Sequence, residues 1–496
     1  MKNSSSYDLI VIGSGMGGMS AASMFAKAGY RVLVLEAAHA PGGCSSSYYR
    51  KGYTFESGAT TLIGFDEHQP LRILEDHLGI SLPKTAIEPS MTVHLDGDEI
   101  VRWQDQDRWL KEVITHFGEP SAQREFWSLA HRVSKVVWKV SGRNPLFPPQ
   151  QISDWFHLLK NDPRDVWVLP YALSSVKEIA RRAGVTNAKF YRFLDEQLMI
   201  SAQAPADDTP FLFGAPAITY TNSTNYTVQG GLIEMVKRLQ RYLEERGGEL
   251  HTKEKVTSLD QKEEGYIVTT SKNRRYRAPL VVSNIPVWNM EDITTGKVNE
   301  YFKNESAKYD RAWGAFTMGV ATTDSYPENM SLHHQIHIGK EDQIQHLKGD
   351  SIFVSFSHPD DNVRGPKGDR VLNISTHVEP EQWFNLNGEY DRIKAEVQEQ
   401  ILEILVKKLP GFQRQNIKVA FSSTPVTWND WVYRKKGRVG GIPQQMDRSL
   451  LDWTPNKTPF EGLYLVGDTV FPGQGIPGVT LSGINVYYRV RKNHKK

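Results

Sequence analysis

The stretch that most constrains this chain runs Tyr7-Asp8-Leu9-Ile10-Val11-Ile12-Gly13-Ser14-Gly15-Met16-Gly17-Gly18 and is followed by a second apolar run, Arg31 to Leu35, that closes on Glu36. Leu9 to Ile12 has the length and composition of a buried strand. Gly13, Gly15 and Gly18 stand at G-x-G-x-x-G spacing, and the small, helix-prone residues 19 to 28 lead to a stop at Gly29. Each glycine has a steric reason. Gly13 permits the turn out of the strand, Gly15 lets backbone N–H groups approach a diphosphate, and Gly18 lets the helix lie close on the sheet. The helix start, with Met16 and Gly17 in its first turn, offers partial positive charge and free N–H donors to phosphate. Glu36 follows at about the 20-residue distance where a carboxylate accepts from ribose hydroxyls. Strand, turn, helix, second strand and acid together predict a dinucleotide site.

The chain has 496 residues, more than one simple core accommodates, so two intertwined domains are expected. A formal charge of +2 gives no reason to expect nucleic acid as a partner. No apolar run approaches the roughly 20 residues that cross a bilayer. Met1-Lys2 leads through three serines straight into the first strand, which does not read as a secretory leader. Cys44 is the one cysteine, so no intrachain disulfide can form. A cytoplasmic location, peripherally attached to a membrane, is the expectation.

Further along, Pro41-Gly42-Gly43-Cys44-Ser45-Ser46 reads as a tight turn with exposed N–H groups and hydroxyls, suited to a second pass along a cofactor. Residues 52–58 read as a strand entering a glycine turn, and 68–80 as a short helix ending at Gly79. Residues 91–103 alternate like strands around Gly97, and about 121–202 is helical and aromatic-rich. Asn144 to Pro149 breaks the first of these helices, Trp155, Phe156, Leu158 and Leu159 begin another, and Pro170 interrupts a third. Gly230-Gly231 opens a helix that Gly247-Gly248 ends, and short strands follow around Val256, Tyr266 and Leu280 to Ser283, the last leading to Asn284. Leu463 to Val466 is a buried-strand run, and Gly467-Asp468 turns at its carboxyl end, where ligands sit in α/β sheets. Asp468 is placed to accept from hydroxyls such as those of a ribityl chain. Ile476-Pro477-Gly478 opens a final helix, with Pro477 suited to the first helical position. Gly478, Ser482 and Gly483 are expected to leave a smooth face for a flat ring. The fold class is therefore α/β, with a discontinuous Rossmann-type domain at 1–88, 225–290 and 455–496. A mixed α+β substrate domain with a helical, membrane-facing lid is expected at 89–224 and 291–454.

These segments carry a resemblance. GSGMGG with Glu36, PGGCSSS, GYTFESGAT, QGGLIEMVKRL, VVSN and GLYLVGDTVFPGQGIPGVTLSG stand in the order found in phytoene desaturase-like flavoproteins. That group includes bacterial carotenoid desaturases, carotenoid cis-trans isomerases and retinol saturases. The chain most resembles the carotenoid C-3′,4′ desaturase and isomerase branches. The resemblance implies FAD, with its ADP on Gly13 to Gly18, ribose on Glu36, adenine near Val256, and ribityl and isoalloxazine near Asp468 to Gly478. Gly42, Gly43, Cys44 and Ser45 form the second pass, and Cys44 stands where many relatives in the wider amine oxidase group carry an arginine. That departure weakens any transfer of amine oxidase chemistry.

The implied reaction is desaturation of a hydrophobic carotenoid. A hydride leaves carbon next to a polyene, the resulting cation is delocalised, and an adjacent proton then becomes acidic enough for a weak base or water. Such chemistry needs no Ser-His-Asp or metal signature, and the sequence names no catalytic base. Glu56 and Gln474 lie in cofactor-proximal motifs but read as turn and packing residues. His333 and His337 share a strand face without a second ligand group, so they read as strand residues rather than a metal site. Trp127, Trp138, Trp155 and Trp167 lie among Lys and Arg, the mix of a membrane interface as well as of a lid core. No second G-x-G-x-x-G unit offers a nicotinamide site, so O2 or a quinone is the expected electron acceptor. The alternatives are a cis-trans isomerase using reduced flavin, a saturase, an amine oxidase, or a non-catalytic escort for prenylated proteins.

Overall fold

Leu9–Ile12, Val32–Leu35 and Leu280–Ser283 are buried at every position, so the strands they form must be covered on both faces. They make the middle of a five-stranded parallel sheet in the order Glu249–His251, Val32–Leu35, Leu9–Ile12, Leu280–Ser283, Leu463–Leu465. The computed structural model describes residues 5–58, 60–146, 149, 154, 156, 160–161, 163–309, 311–448 and 452–493. Phe147, Pro148, Trp155, Leu158 and Leu159 lie outside the described residues.

Successive strand residues point to opposite faces, and this divides the core. Leu9, Val11, Val32 and Val34 pack under the helices Met16–Lys27, Ile233–Glu244 and Ile476–Asn493. Ile10, Ile12, Leu33 and Leu35 pack on the other face, against the small sheet of Val256–Lys262, Gly265–Thr270, Arg275–Ala278 and Ser5–Ser6. The cofactor-type sheet is thus gathered from separate parts of the chain, as the discontinuous reading requires.

The second layer is a seven-stranded sheet in the order Ile417–Ser423, Gly314–Thr323, Asp369–Val378, Ser351–Phe356, His333–His337, Met91–Leu95, Asp98–Arg102. Its neighbours are antiparallel except His333–His337 with Met91–Leu95. The amphipathic helix Tyr390–Lys408 covers one face with Ile393, Val397, Ile401 and Leu405. A helical group containing Gln106–Phe117, Pro120–Arg143, Ala188–Ser201 and Phe211–Thr219 encloses Trp109, Phe126, Trp127, Phe190 and Phe193.

Two expectations change here. The serine-rich turn after Gly43 extends into a strand, Ser47–Arg50, that pairs antiparallel with Tyr53–Glu56. Trp127 is no interface residue: it is 2% exposed and meets Trp109 edge-on, because its helix turns that face to the aromatic core. Among the described residues no helix is long and apolar enough to cross a membrane.

Candidate functional site

At the carboxyl ends of the parallel strands the chain turns at Gly13, Glu36, Asn284 and Gly467, the position where α/β sheets bind ligands. A cavity of about 440 Å³ opens there. Gly13, Gly15, Met16, Gly17, Glu36, Gly42, Gly43, Cys44, Ser45, Val256, Asn284, Gly467 and Asp468 line it, while Gly18, Ile476, Pro477 and Gly478 are not part of the lining.

Gly13 leaves its strand at φ +93°, a conformation that favours glycine. A Cβ on Gly18 would lie 2.4 Å from the Gly13 carbonyl oxygen, so the helix can sit this close only without a side chain. Gly15 gives the helix Met16–Lys27 no side-chain cap. The Gly18 N–H donates to Asn284 Oδ1 at 3.0 Å, and Met19 N–H to the Gly15 carbonyl at 2.9 Å. The N–H groups of Met16 and Gly17 are left to an anion in the cavity. Asn284 also braces this loop: its amide lies 2.6 Å from where a Cβ on Gly15 would be and 2.8 Å from one on Gly17.

Glu36 accepts from Ser14 N–H at 2.9 Å, Ser14 Oγ at 2.6 Å and Ala38 N–H at 2.8 Å. Its carboxylate is fixed in place, with lone pairs left for ribose hydroxyls. Gly42, at φ +114°, donates its N–H to Ser14 Oγ at 3.1 Å, tying the second glycine turn to the first. Burial pushes the Cys44 thiol pKa up, the nearby Arg434 pulling the other way, so the thiol is not activated as a thiolate.

The closing segment departs in part from its expected geometry. Ile476 starts the last helix and is buried against the helical core, and Pro477 is its second residue. A Cβ on Gly478 would meet the Gly473 carbonyl at 2.8 Å, and one on Gly483 the Gly17 carbonyl at 2.5 Å. Ser482 Oγ accepts from Gly467 N–H at 2.9 Å and donates to the Val479 carbonyl at 2.7 Å. Gly483 therefore serves helix-on-helix contact, since the opening helix fills the space beside it.

Several cavity residues escaped the sequence reading: Lys255, Asn289, Asp292, Asn429, Tyr433, Arg434 and Lys435. Arg434 Nη2 donates to Asp468 Oδ2 at 2.8 Å, and the two side chains are 10% and 17% exposed. Burial opposes the charge of Arg434, and Asp468 and Cys44 beside it together more than restore it. One sequence signal pointed this way. Gly440-Gly441 lies just downstream, and a Cβ on Gly441 would fall 2.1 Å from the Asp468 carbonyl, so this segment passes directly against the Asp468 turn.

Glu56 is not available as a base. It accepts from Ser47 Oγ at 2.8 Å and Leu232 N–H at 2.9 Å and is sealed inside, which pushes its pKa up by desolvation. Gln474 reaches the Ile200 carbonyl, at 3.4 Å. The histidines disperse: His333 pairs with Ser355 at 2.7 Å, His334 with His94 at 3.0 Å, and His337 with Glu196 at 3.0 Å. Among the described residues no group of three or more His, Cys, Asp or Glu is placed to hold a metal ion.

The donor set fits an FAD: uncapped N–H groups for a diphosphate, an anchored carboxylate for ribose, and glycine clearance between them. Comparison with known proteins agrees. The prolycopene isomerase 1 of an Oncidium hybrid cultivar is 29% identical over 502 residues, spanning 98% of this chain and 84% of its own length. The neurosporene-forming phytoene desaturase of Rhodobacter capsulatus is 24% identical, over 96% of this chain and 92% of its own. The crystal structure of an oxidoreductase from Methanosarcina mazei superposes with a TM-score of 0.65 at 18% identity, covering 97% of this chain and 99% of that one, a likeness of fold. The model of the flavin-containing amine oxidoreductases matches residues 16–490, so the chain belongs to that family and is an FAD-dependent enzyme.

Proposed function

We propose that this enzyme is a carotenoid desaturase that introduces a double bond next to an existing polyene. The observation that carries the reading is the likeness over nearly the whole chain to carotenoid-metabolising flavoenzymes, together with the intact cofactor cradle. When bound, FAD supplies the hydride acceptor. The chain's part is to position and to exclude water. Gly13 to Gly17 and Glu36 anchor the ADP end, and Asp468 stands at the end where the ribityl chain would run. Among the described residues the cavity lining holds no acid–base pair of the hydrolytic kind, which suits a substrate whose cation is stabilised by its own conjugation. O2 or a quinone takes the electrons onward.

A substrate of this kind resides in lipid, and the reading includes a cytoplasmic enzyme attached peripherally to a membrane. Supporting it, Trp167, Leu169 and Leu173 in the segment Asp165–Leu173 are 39%, 37% and 81% exposed. Arg132 lies over the Trp167 ring at 6.0 Å. Exposed apolar side chains beside cations are what an interfacial segment presents.

A second reading, cis-trans isomerisation, is favoured by the 29% identity to prolycopene isomerases. Co-expression with carotene-producing enzymes and mass spectrometry of the pigments separates the two. Desaturation removes two hydrogens per new double bond, isomerisation leaves the mass unchanged, and a saturase adds two. A product of unchanged mass would overturn the desaturase reading.

A further inference from the structure

Arg434 follows the short helix Pro425–Trp431, far in sequence from both glycine motifs, yet its guanidinium lies in the cavity between them. Its Nε donates to the Arg438 carbonyl at 2.6 Å and its Nη2 to Asp468 Oδ2 at 2.8 Å. Its Nη1 meets Cys44 Sγ at 4.0 Å, a long contact with a weak acceptor. A guanidinium carries five N–H donors, and these contacts use one on each nitrogen, so two remain for a bound anion.

The cavity they share with the opening glycine turn points to that anion. Cys44 follows Gly43, and a Cβ on Gly43 would lie 3.7 Å from Gly15 Cα. Through Cys44 and Gly43, the Nη1 side of the guanidinium thus borders the same cavity as the turn where the Met16 and Gly17 N–H groups emerge. The other cavity cations are engaged elsewhere: Lys435 donates to Asp292 at 2.7 Å, and Lys255 lies over the Tyr433 ring at 5.1 Å. A planar fork with free donors is the side chain best matched to phosphate oxygens.

We propose that Arg434 is a positioning residue for the FAD diphosphate, steered by Asp468 and completing, from a distant part of the chain, the anion site begun by the opening helix. The inference rests on the FAD site and is independent of whether the reaction is desaturation or isomerisation. It is tested on apoprotein titrated with FAD, ADP-ribose and riboflavin, with circular dichroism as the control for folding. R434Q is expected to weaken FAD and ADP-ribose about tenfold or more while riboflavin, which has no phosphate, changes by less than about twofold. R434K, which keeps the charge but not the fork, is expected to fall between. C44R combined with R434Q places a guanidinium within reach of the same corner and is expected to recover part of the FAD affinity. Unchanged FAD and ADP-ribose affinity in a folded R434Q would overturn the proposal. So would an equal loss for riboflavin, which marks a general collapse of the pocket. Wild-type protein that binds FAD but leaves carotenoid mass unchanged would count against the desaturase reading alone.

Discussion

One methyl group separates a glycine that the turn requires from one that merely ends a helix. In G18A the new Cβ would lie 2.4 Å from the Gly13 carbonyl and 3.0 Å from Asn284 Cβ, both parts of the cofactor turn. The expected outcome is a loss of about 1–3 kcal/mol of stability and protein that purifies with reduced flavin absorbance. In G29A nothing lies within 4 Å and only the φ of +82° is strained. That variant is expected to cost about 1–2 kcal/mol and to keep its flavin. Thermal melts and the ratio of flavin to protein absorbance check both. Gly18 was legible in the sequence because spacing alone fixes its role. Arg434 was not, because the Gly440-Gly441 pair downstream does not say which neighbouring side chain it carries in, and only the tertiary path past Gly441 brings Arg434 to Asp468. Glu56 shows the reverse case, a carboxylate in a suggestive motif that the fold consumes in joining Ser47 to Leu232.

The strand His333–His337 carries an electrostatic consequence of its own. Desolvation pushes the pKa of His333 down to about 4 and that of His334 to about 3, the latter helped by His94. The unfolded chain binds protons on these rings below the ordinary histidine value of about 6.5, and the folded chain refuses them. Their contribution is therefore complete above that value and declines as pH falls, by about 1.4 kcal/mol per pH unit for each ring. His337 runs the other way. Its hydrogen bond to Glu196 raises its pKa, so its contribution is present below the ordinary value and is lost as pH rises through the raised one. Denaturant unfolding between pH 7.5 and 5 is expected to show stability falling with acid, less steeply in H333N and more steeply in H337Q; a flat profile would contradict this. The hairpin around Gly97, the helix Pro70–Leu78 and the strands here were legible because their apolar periods are regular. Ser47–Arg50 was not. Its serines and tyrosines show no apolar alternation, and pairing with Tyr53–Glu56 makes it a strand.

At the scale of the whole molecule the exposed side chains of Asp165–Leu173 are the feature to perturb. L173D replaces a side chain that is 81% exposed, so folding and flavin content are expected to hold. Co-flotation with liposomes is expected to fall, and full retention on liposomes would remove the membrane reading. The discontinuous architecture was legible because four strands of the cofactor sheet are apolar runs closed by a turn residue, whereas the edge strand Glu249–His251, with one apolar residue, was not. Which side chains of the long intervening region would reach the cavity was not, since that depends on how the seven-stranded sheet and its connections settle against the first. The five-stranded sheet has a temporal implication. Its edge strand Leu463–Leu465 leads into the Asp468 turn, which lines the same cavity as Gly13, so translation must pass through more than four hundred codons between the two walls. A nascent polypeptide holds the first wall long before the second emerges, and capture of its prosthetic group must wait for the second.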